Sequence, residues 1–305
     1  MLTSKVQDLV INFHMTEACN YRCDYCYATW DNHVHSSELH HHTTQVIHLL
    51  DNLAAYFLHD NPLKHRMGYH TVRINFAGGE PIMLGSRFID ALFYAKSLGF
   101  NTSIITNGHF LNVQMLTRIA SKIDMLGISF DTGDYLVASS IGRIDRKGSW
   151  LSPEKLIDIC RTYRDLNSLG KLKLNTVVNA FNWRENLLNT VQQIQPDKWK
   201  LLRVLPVHNQ NCTITNDQYQ AYVTRHQSLS SCIVEEDNDA MWQSYLMINP
   251  NGCFYQNSYH GAGLSQSQPI LEVGVETAFE QISFNVEAFS HRYQSPRTSD
   301  GHHRF

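Results

Sequence analysis

Six short β-rich runs alternate with helical ones along the first two thirds of the chain, and this rhythm narrows the possible folds more than any other feature. Asp8–His14, Thr71–Phe76, Thr102–Thr106, Met125–Phe130, Lys171–Val178 and Trp199–Val204 read as strands. Helical patterns fill the intervals at Thr43–His59, Arg87–Leu98, Val113–Lys122, Pro153–Leu169 and Trp183–Gln193. In the first of these, Val46, Leu49, Leu50, Leu53 and Phe57 recur at helical spacing and form one apolar stripe. Ser152 before Pro153 supplies an N-cap and a first-turn proline. Strands and helices in strict alternation demand a parallel sheet with right-handed crossovers. Closing an eight-stranded barrel would take two further units that the pattern does not show. The expected fold is therefore α/β, a partial (βα)6 TIM-like barrel over residues 1–206, with a C-terminal extension over 207–305. In the extension Asp217–Leu229 reads as helical, and Tyr245–Ile248 and Cys253–Tyr255 as a hairpin across Asn249–Gly252.

Composition supports a large core. Of 305 residues, 43% are hydrophobic and 17% charged, which argues against disorder. The 25 basic and 28 acidic side chains leave a formal charge of −3 with no long Lys/Arg block, so nucleic acid is not expected as a partner. No apolar run approaches the ~20 residues of a membrane span. The opening MLTSKVQDLVINFHMTEACN runs from a short apolar stretch straight into cysteines and does not read as a secretion signal. A cytoplasmic protein with no membrane partner and no disulfide framework is expected.

The seven cysteines are unevenly placed. Cys160, Cys212, Cys232 and Cys253 are scattered and read as small buried hydrophobes, whereas Cys19, Cys23 and Cys26 are clustered just after the first strand. A structural zinc site takes four ligands, usually as two separated pairs, and no second pair exists here. An iron–sulfur cubane used only for electron transfer takes four cysteines. Three leave one iron open to a substrate or cofactor; a zinc loop or chance clustering is the plainer alternative. Other chemistry-bearing residues also follow strands. Gly78, Gly79 and Glu80 come after the second, with two glycines that permit close backbone approach. Asn107 follows the third, Ser129 closes the fourth, and Arg143 lies in the IGR loop. Parallel sheets build their ligand sites at this end.

A second set is basic. Residues i and i+2 of a strand share a face, so Arg73 pairs with Asn75, Lys173 with Asn175, and Lys198 with Lys200, while Ile74, Leu172 and Leu174 take the other face. A buried ammonium without a partner costs several kcal/mol, so a converging set implies a bound anion. Three or four cations suit a triphosphate; a solvated barrel mouth or internal salt bridges would be the bland explanation. The His40–His42 run, ahead of a helix, reads as a solvated loop more than a metal site.

The segments CNYRCDYCY and INFAGGEP resemble the radical S-adenosylmethionine (SAM) superfamily. With ITNG, GISFD, IGR, KLNTVVNAFNW, KWK and LEVGVETAF, the chain resembles one branch of it over about residues 9–280: viperin and its prokaryotic relatives. The resemblance implies a [4Fe-4S] cluster on Cys19, Cys23 and Cys26, and a SAM site at Tyr25, Gly78, Gly79, Glu80, Asn107, Ser129 and Arg143. Within that site Tyr25 would lie on the adenine side, Gly78–Glu80 at the methionyl amino group, Asn107 at the ribose and Arg143 at the carboxylate. It implies triphosphate binding by Arg73, Asn75, Lys173, Asn175, Lys198 and Lys200, an extension that closes the nucleotide site, and an external one-electron reductant. The implied reaction converts a ribonucleoside triphosphate (CTP, UTP or GTP) to its 3′-deoxy-3′,4′-didehydro analogue, a chain terminator in antiviral defence. An adenosyl radical would take the ribose C4′ hydrogen before the 3′-hydroxyl leaves as water.

The animal members' N-terminal amphipathic helix is not seen, so a prokaryotic-type member is expected. Arg73 and Ala77 stand where those proteins have Lys and Ser, and Gly252 where they have a tyrosine near the nucleotide. Base choice would then fall to Asn249, Asn251 and Asn257, unless these simply make a turn. Two rival functions are weighed. A radical SAM peptide-modifying enzyme would need a second dense cysteine set for auxiliary clusters. A non-catalytic iron–sulfur module would leave the basic pairs without purpose.

Overall fold

The computed structural model describes residues 7–26, 37–205, 210–236, 243–257 and 264–293. All six expected strands are present: β1 (Asp8–His14), β2 (Thr71–Ala77), β3 (Asn101–Thr106), β4 (Met125–Ser129), β5 (Lys171–Val178) and β6 (Lys198–Arg203). They pair in parallel in chain order, and one ten-stranded sheet contains them. The alternation along β5 shows why. Leu172, Leu174 and Val178 are buried beneath the helices, while Lys173 and Asn175 turn to the interior cavity. The apolar stripe of the first crossover helix, Thr43–Phe57, is buried at Leu49, Leu50, Leu53 and Phe57.

The structure adds a seventh parallel strand, β7 (Ile233–Glu236), which follows the helix Asn216–Arg225 and pairs with β6. Its IVEE sequence is short and ends in two carboxylates, so neither length nor alternation marks it. The expected hairpin forms as β8 (Leu246–Ile248) and β9 (Cys253–Asn257), followed by β10 (Leu264–Pro269). β8 lies parallel to β1, so the chain after 207 supplies both edges of the sheet, in the order β10-β9-β8-β1-β2-β3-β4-β5-β6-β7. The expected boundary at 206 falls outside the described residues.

Of the helix boundaries that differ from the sequence pattern, two are set by asparagines. The pattern beginning at Trp183 becomes helical only at Leu188–Ile194. Upstream, Asn182 Oδ1 accepts from the Asn179 amide and Asn179 Oδ1 from the Phe181 amide, a turn that competes with helix. The helix starting at Pro153 ends at Leu166, because Asn167 donates to the Ala120 and Ile123 carbonyls and accepts from the Gly170 amide. Ser152 caps that helix as expected, accepting from the Lys155 amide. The solvated-loop reading of His40–His42 holds for His42, which is exposed, and is corrected for His40, which is buried in the 3-10 turn Leu39–His41 and paired with Glu38 just ahead of it. Among the described residues, no helix is long and apolar enough to cross a membrane.

Candidate active site

The cysteine loop leaves the C-terminal end of β1 and is clamped from two sides by glycines. Met15 donates to the Ala77 carbonyl, Gly79 to Thr16 and Glu80 to Ala18, so the end of β2 lies directly against the root of the loop. A Cβ on Gly79 would stand 2.0 Å from the Ala18 carbonyl oxygen, and one on Gly78 2.5 Å from that of Thr16. The glycines therefore serve the fit of backbone to cysteine loop, beyond any approach to a ligand. On the other side Arg22 donates to the Gly142 carbonyl and Asp24 to that of Ile141.

One cavity at this end of the barrel brings together Cys19, Cys23, Cys26, Tyr25, Gly78, Gly79, Asn107, Ser129 and Arg143. Glu80 does not line it. Its fully buried carboxylate accepts from the Asn107 amide (2.7 Å), the Thr106 hydroxyl (2.8 Å) and the Ile82 amide (3.1 Å), tying β2 to β3. Burial outweighs these donors and pushes the Glu80 carboxyl up to about 7. Asn107 in turn donates to Asn20 Oδ1 at 2.8 Å and toward Cys19 Sγ at 3.8 Å.

Arg143 is buried and already engaged. Its Nη1 lies 2.8 Å from Asp131 Oδ2, its Nη2 donates to the Ser129 carbonyl, and its guanidinium stands 5.6 Å from the Tyr21 ring centroid. Burial works against its charge, but Asp131 and its other neighbours hold the guanidinium well above its usual pKa. Asp131 also accepts from the Tyr25 hydroxyl (2.5 Å) and the Val177 amide (2.6 Å). Tyr25 and Arg143 are thus fixed by a residue that the sequence reading did not single out. Asp131 ends the GISFD segment, on the same strand-end rim as the others, and that position was the available signal.

Deeper in the same cavity lie Arg73, Asn75, Lys173, Asn175 and Lys200, whereas Lys198 does not line it. Lys198 is level with Lys173 in the β5–β6 register and Lys200 with Asn175. Lys198 opens β6 at the level of Lys173 without reaching the cavity wall. Internal pairing accounts for part of the basic set. Arg73 Nε lies 3.1 Å from Asp8 Oδ2, and Lys200 pairs with buried Glu236 on β7. Glu236 also takes Arg292 at 3.0 Å and the Tyr245 hydroxyl at 2.9 Å. Burial raises the Glu236 carboxyl, but Lys200 and Arg292 overcome this and hold it below the usual carboxylate range. Lys173 makes no hydrogen bond or salt bridge among the described residues. Burial and then Lys200 depress its ammonium well below the usual lysine range. Asn175 Oδ1 beside it is buried with no hydrogen-bond partner. Asn75 belongs to a chain in which Ser103 donates to Asn75, Asn75 to Asn12, and Asn12 to the Leu246 carbonyl.

The C-terminal wall is not the expected one. Tyr245, Met247 and Tyr293 line the cavity, together with His14 from β1. The Tyr255 hydroxyl lies 2.7 Å from His14 Nδ1, and burial lowers His14 to about 4, so its ring is neutral. Gly252 and Asn249 lie off the cavity. A Cβ on Gly252 would meet the Leu39 side chain at 2.7 Å, and Asn249 Oδ1 accepts from the Asn251 and Cys253 amides in a plain turn. The side chain of Asn257 lies outside the described residues.

The residues fit a cubane cluster. Among the described residues, only Glu38, His40 and His41 form a trio of candidate ligand atoms all within 4.8 Å of one another. The three cysteine sulfurs do not all come within that distance of one another, whereas one tetrahedral zinc needs sulfurs about 3.8 Å apart. Cys19 Sγ already receives the Tyr21 amide at 3.4 Å, and Asn20 Nδ2 is buried with no acceptor in the protein.

Comparison with known proteins agrees. The Radical SAM superfamily model matches residues 13–180. An S-adenosylmethionine-dependent nucleotide dehydratase of Pseudoalteromonas ulvae is 63% identical over 292 residues, covering 96% of this chain and 95% of that protein. A namesake from Psychrobacter lutiphocae is 36% identical, covering 94% and 95%. Among solved structures, native anSMEcpe with bound AdoMet shares the fold, with a TM-score of 0.64 at 14% identity over 92% of this chain and 81% of that one. The chain is a radical SAM enzyme that uses a [4Fe-4S] cluster and SAM, and it belongs to the viperin family of S-adenosylmethionine-dependent nucleotide dehydratases.

Proposed function

We propose that the substrate is a ribonucleoside triphosphate and the product its 3′-deoxy-3′,4′-didehydro analogue. The observation that carries this reading is Lys173. Its ammonium, depressed by burial, has no hydrogen bond or salt bridge among the described residues and stands beside an Asn175 oxygen that likewise has no partner among them, in the same cavity as the three cysteines. A polyphosphate removes the cost of that charge. When bound on Cys19, Cys23 and Cys26, the cluster with SAM supplies a 5′-deoxyadenosyl radical. In net terms the nucleotide gives up its C4′ hydrogen atom and its 3′-hydroxyl, takes one electron and one proton, and releases water, leaving a C3′–C4′ double bond.

The protein's part is placement. Gly78, Gly79, Asn107, Ser129 and Arg143 hold SAM, with Tyr25 and Asp131 bracing Arg143. Glu80 acts from behind the wall by fixing Asn107. Arg73, Asn75, Lys173, Asn175 and Lys200 take the phosphates, with Lys198 adding charge from just outside. Glu236 holds Lys200 and Tyr245 in line with the cavity. We assign residues 207–305 the task of closing the site, supported by Tyr245, Met247 and Tyr293 in its wall. Free thiolate ligands and an external one-electron reductant fit the cytoplasm. For the rival peptide-modifying reading, Cys160, Cys212 and Cys253 are separate buried residues, with no second cysteine group among the described residues.

Lys173→Ala is expected to weaken triphosphate binding by about 1.5–3 kcal/mol while SAM binding survives. The sign of the pH dependence is also set. An anion favours the charged ammonium, so binding near the depressed pKa takes up a proton, and affinity falls as pH rises through it. Lys173→Arg keeps its charge and should flatten that dependence. Titrating a nucleoside triphosphate into SAM-loaded protein at a series of pH values below the usual lysine range, in buffers of different ionisation enthalpy, measures both effects. A nucleoside binding as tightly as its triphosphate would rule the reading out.

A further inference from the structure

The first crossover helix is entered through the 3-10 turn Leu39–His41, which lies against the root of the cysteine loop. Glu38, just ahead of it, is 3% exposed. Its Oε1 accepts from the Glu17 amide at 2.8 Å, and its Oε2 accepts from the Thr16 hydroxyl at 2.8 Å and meets His40 Nε2 at 2.6 Å. His40 is 5% exposed, and the His41 ring lies 4.1 Å from it between centroids. His41 Nε2 is buried with no hydrogen-bond partner. One ligand atom from each of the three residues lies within 4.8 Å of the other two. Two imidazoles and a carboxylate are a donor set that zinc takes with an open fourth position. A buried imidazole nitrogen without a partner is a cost that an ion at this point removes.

We propose that Glu38, His40 and His41 form a zinc site that pins the entry of the first crossover helix to the root of the cysteine loop through Thr16 and Glu17. The ion replaces the proton that Glu38 and His40 share, takes His41 Nε2 as its third ligand and completes its shell with water. Metal on His40 Nε2 leaves the ring proton on Nδ1, facing Arg87 Nη1 at 3.4 Å. Arg87 is exposed, so in the zinc-bound form its guanidinium is free to turn to solvent. Nitrogen and oxygen donors alone separate this site chemically from the cysteines, and His41 touches neither the cavity nor the SAM positions.

The test uses protein whose iron–sulfur cluster has been reconstituted, then incubated with Zn²⁺ and desalted. Metal analysis is expected to find one zinc per chain beside a full complement of iron. Zinc-edge X-ray absorption should show nitrogen and oxygen neighbours at about 2.0–2.1 Å and no sulfur. His41→Ala should keep its iron but retain about ten-fold less zinc or lower still. Three results would each overturn the site: no zinc retained by the unmodified, iron-loaded protein; a sulfur shell; or zinc content unchanged in His41→Ala. In the first case Glu38 and His40 are a buried hydrogen-bonded pair and nothing more.

Discussion

Cys19→Ala, Cys23→Ala and Cys26→Ala are each expected to lose the iron–sulfur absorbance and all SAM cleavage, measured as 5′-deoxyadenosine formed under anaerobic conditions. Nothing nearby can replace a lost thiolate. The remaining cavity wall around the loop offers Tyr21, Tyr25, Asn107 and Arg143, and none of these supplies a sulfur. Cys160→Ala, Cys212→Ala and Cys253→Ala should keep both signals, because these three buried thiols do not line the cavity that holds the clustered cysteines and serve as small apolar fillers. Loss of the cluster in Cys253→Ala would contradict the three-ligand assignment.

Gly142→Ala is expected to be nearly as damaging, although the residue binds nothing itself. Its φ is +72°, and an added Cβ would stand 1.9 Å from the Arg22 carbonyl oxygen and 3.3 Å from the Cys23 Cα. Both neighbours are backbone, so the overlap is relieved only by pushing the cysteine loop away. That breaks the hydrogen bonds from Arg22 and Asp24 to Gly142 and Ile141. Gly274→Ala is the matched control. Its φ is +82° and its ψ 163°, with nothing within 4 Å of the added atom, so it carries the cost of a backbone region nearly confined to glycine, about 1–3 kcal/mol, and no overlap. Iron per chain after reconstitution should collapse in Gly142→Ala and stay full in Gly274→Ala. Equal iron in the two would mean that the IGR loop does not hold the cluster loop in place.

The parts of the fold legible in the sequence were those written in local periodicity. Alternation exposed β1 to β6, and the i, i+2 rule placed Arg73, Asn75, Lys173, Asn175 and Lys200 on the face that lines the cavity. The same rule cannot say how far along a strand the cavity reaches, so it included Lys198. β7 was hidden because four residues ending in Glu235 and Glu236 carry no apolar pattern. Glu236 matters for what it meets: Lys200 on β6, Tyr245 ahead of β8 and Arg292 near the C-terminal end, contacts between distant segments that spacing does not encode. Glu80 shows the opposite limit. Its motif was recognisable, but only the structure shows its carboxylate turned away from the cavity and into the β2–β3 junction. The asparagines around Gly252 read as a turn more readily than as base contacts, and the Asn249 side chain does make the turn.

The most direct measurement of the whole account is a product analysis. The chain is reconstituted anaerobically, given SAM and a one-electron reductant, and offered CTP, UTP and GTP in turn, with the matching nucleosides and monophosphates alongside. The expected result is 5′-deoxyadenosine in step with a nucleotide product that has lost one water relative to its triphosphate substrate, from at least one base. Little or none is expected from the nucleosides and monophosphates. Dehydration of a nucleoside as fast as of its triphosphate, or 5′-deoxyadenosine with every triphosphate left intact, would contradict the account.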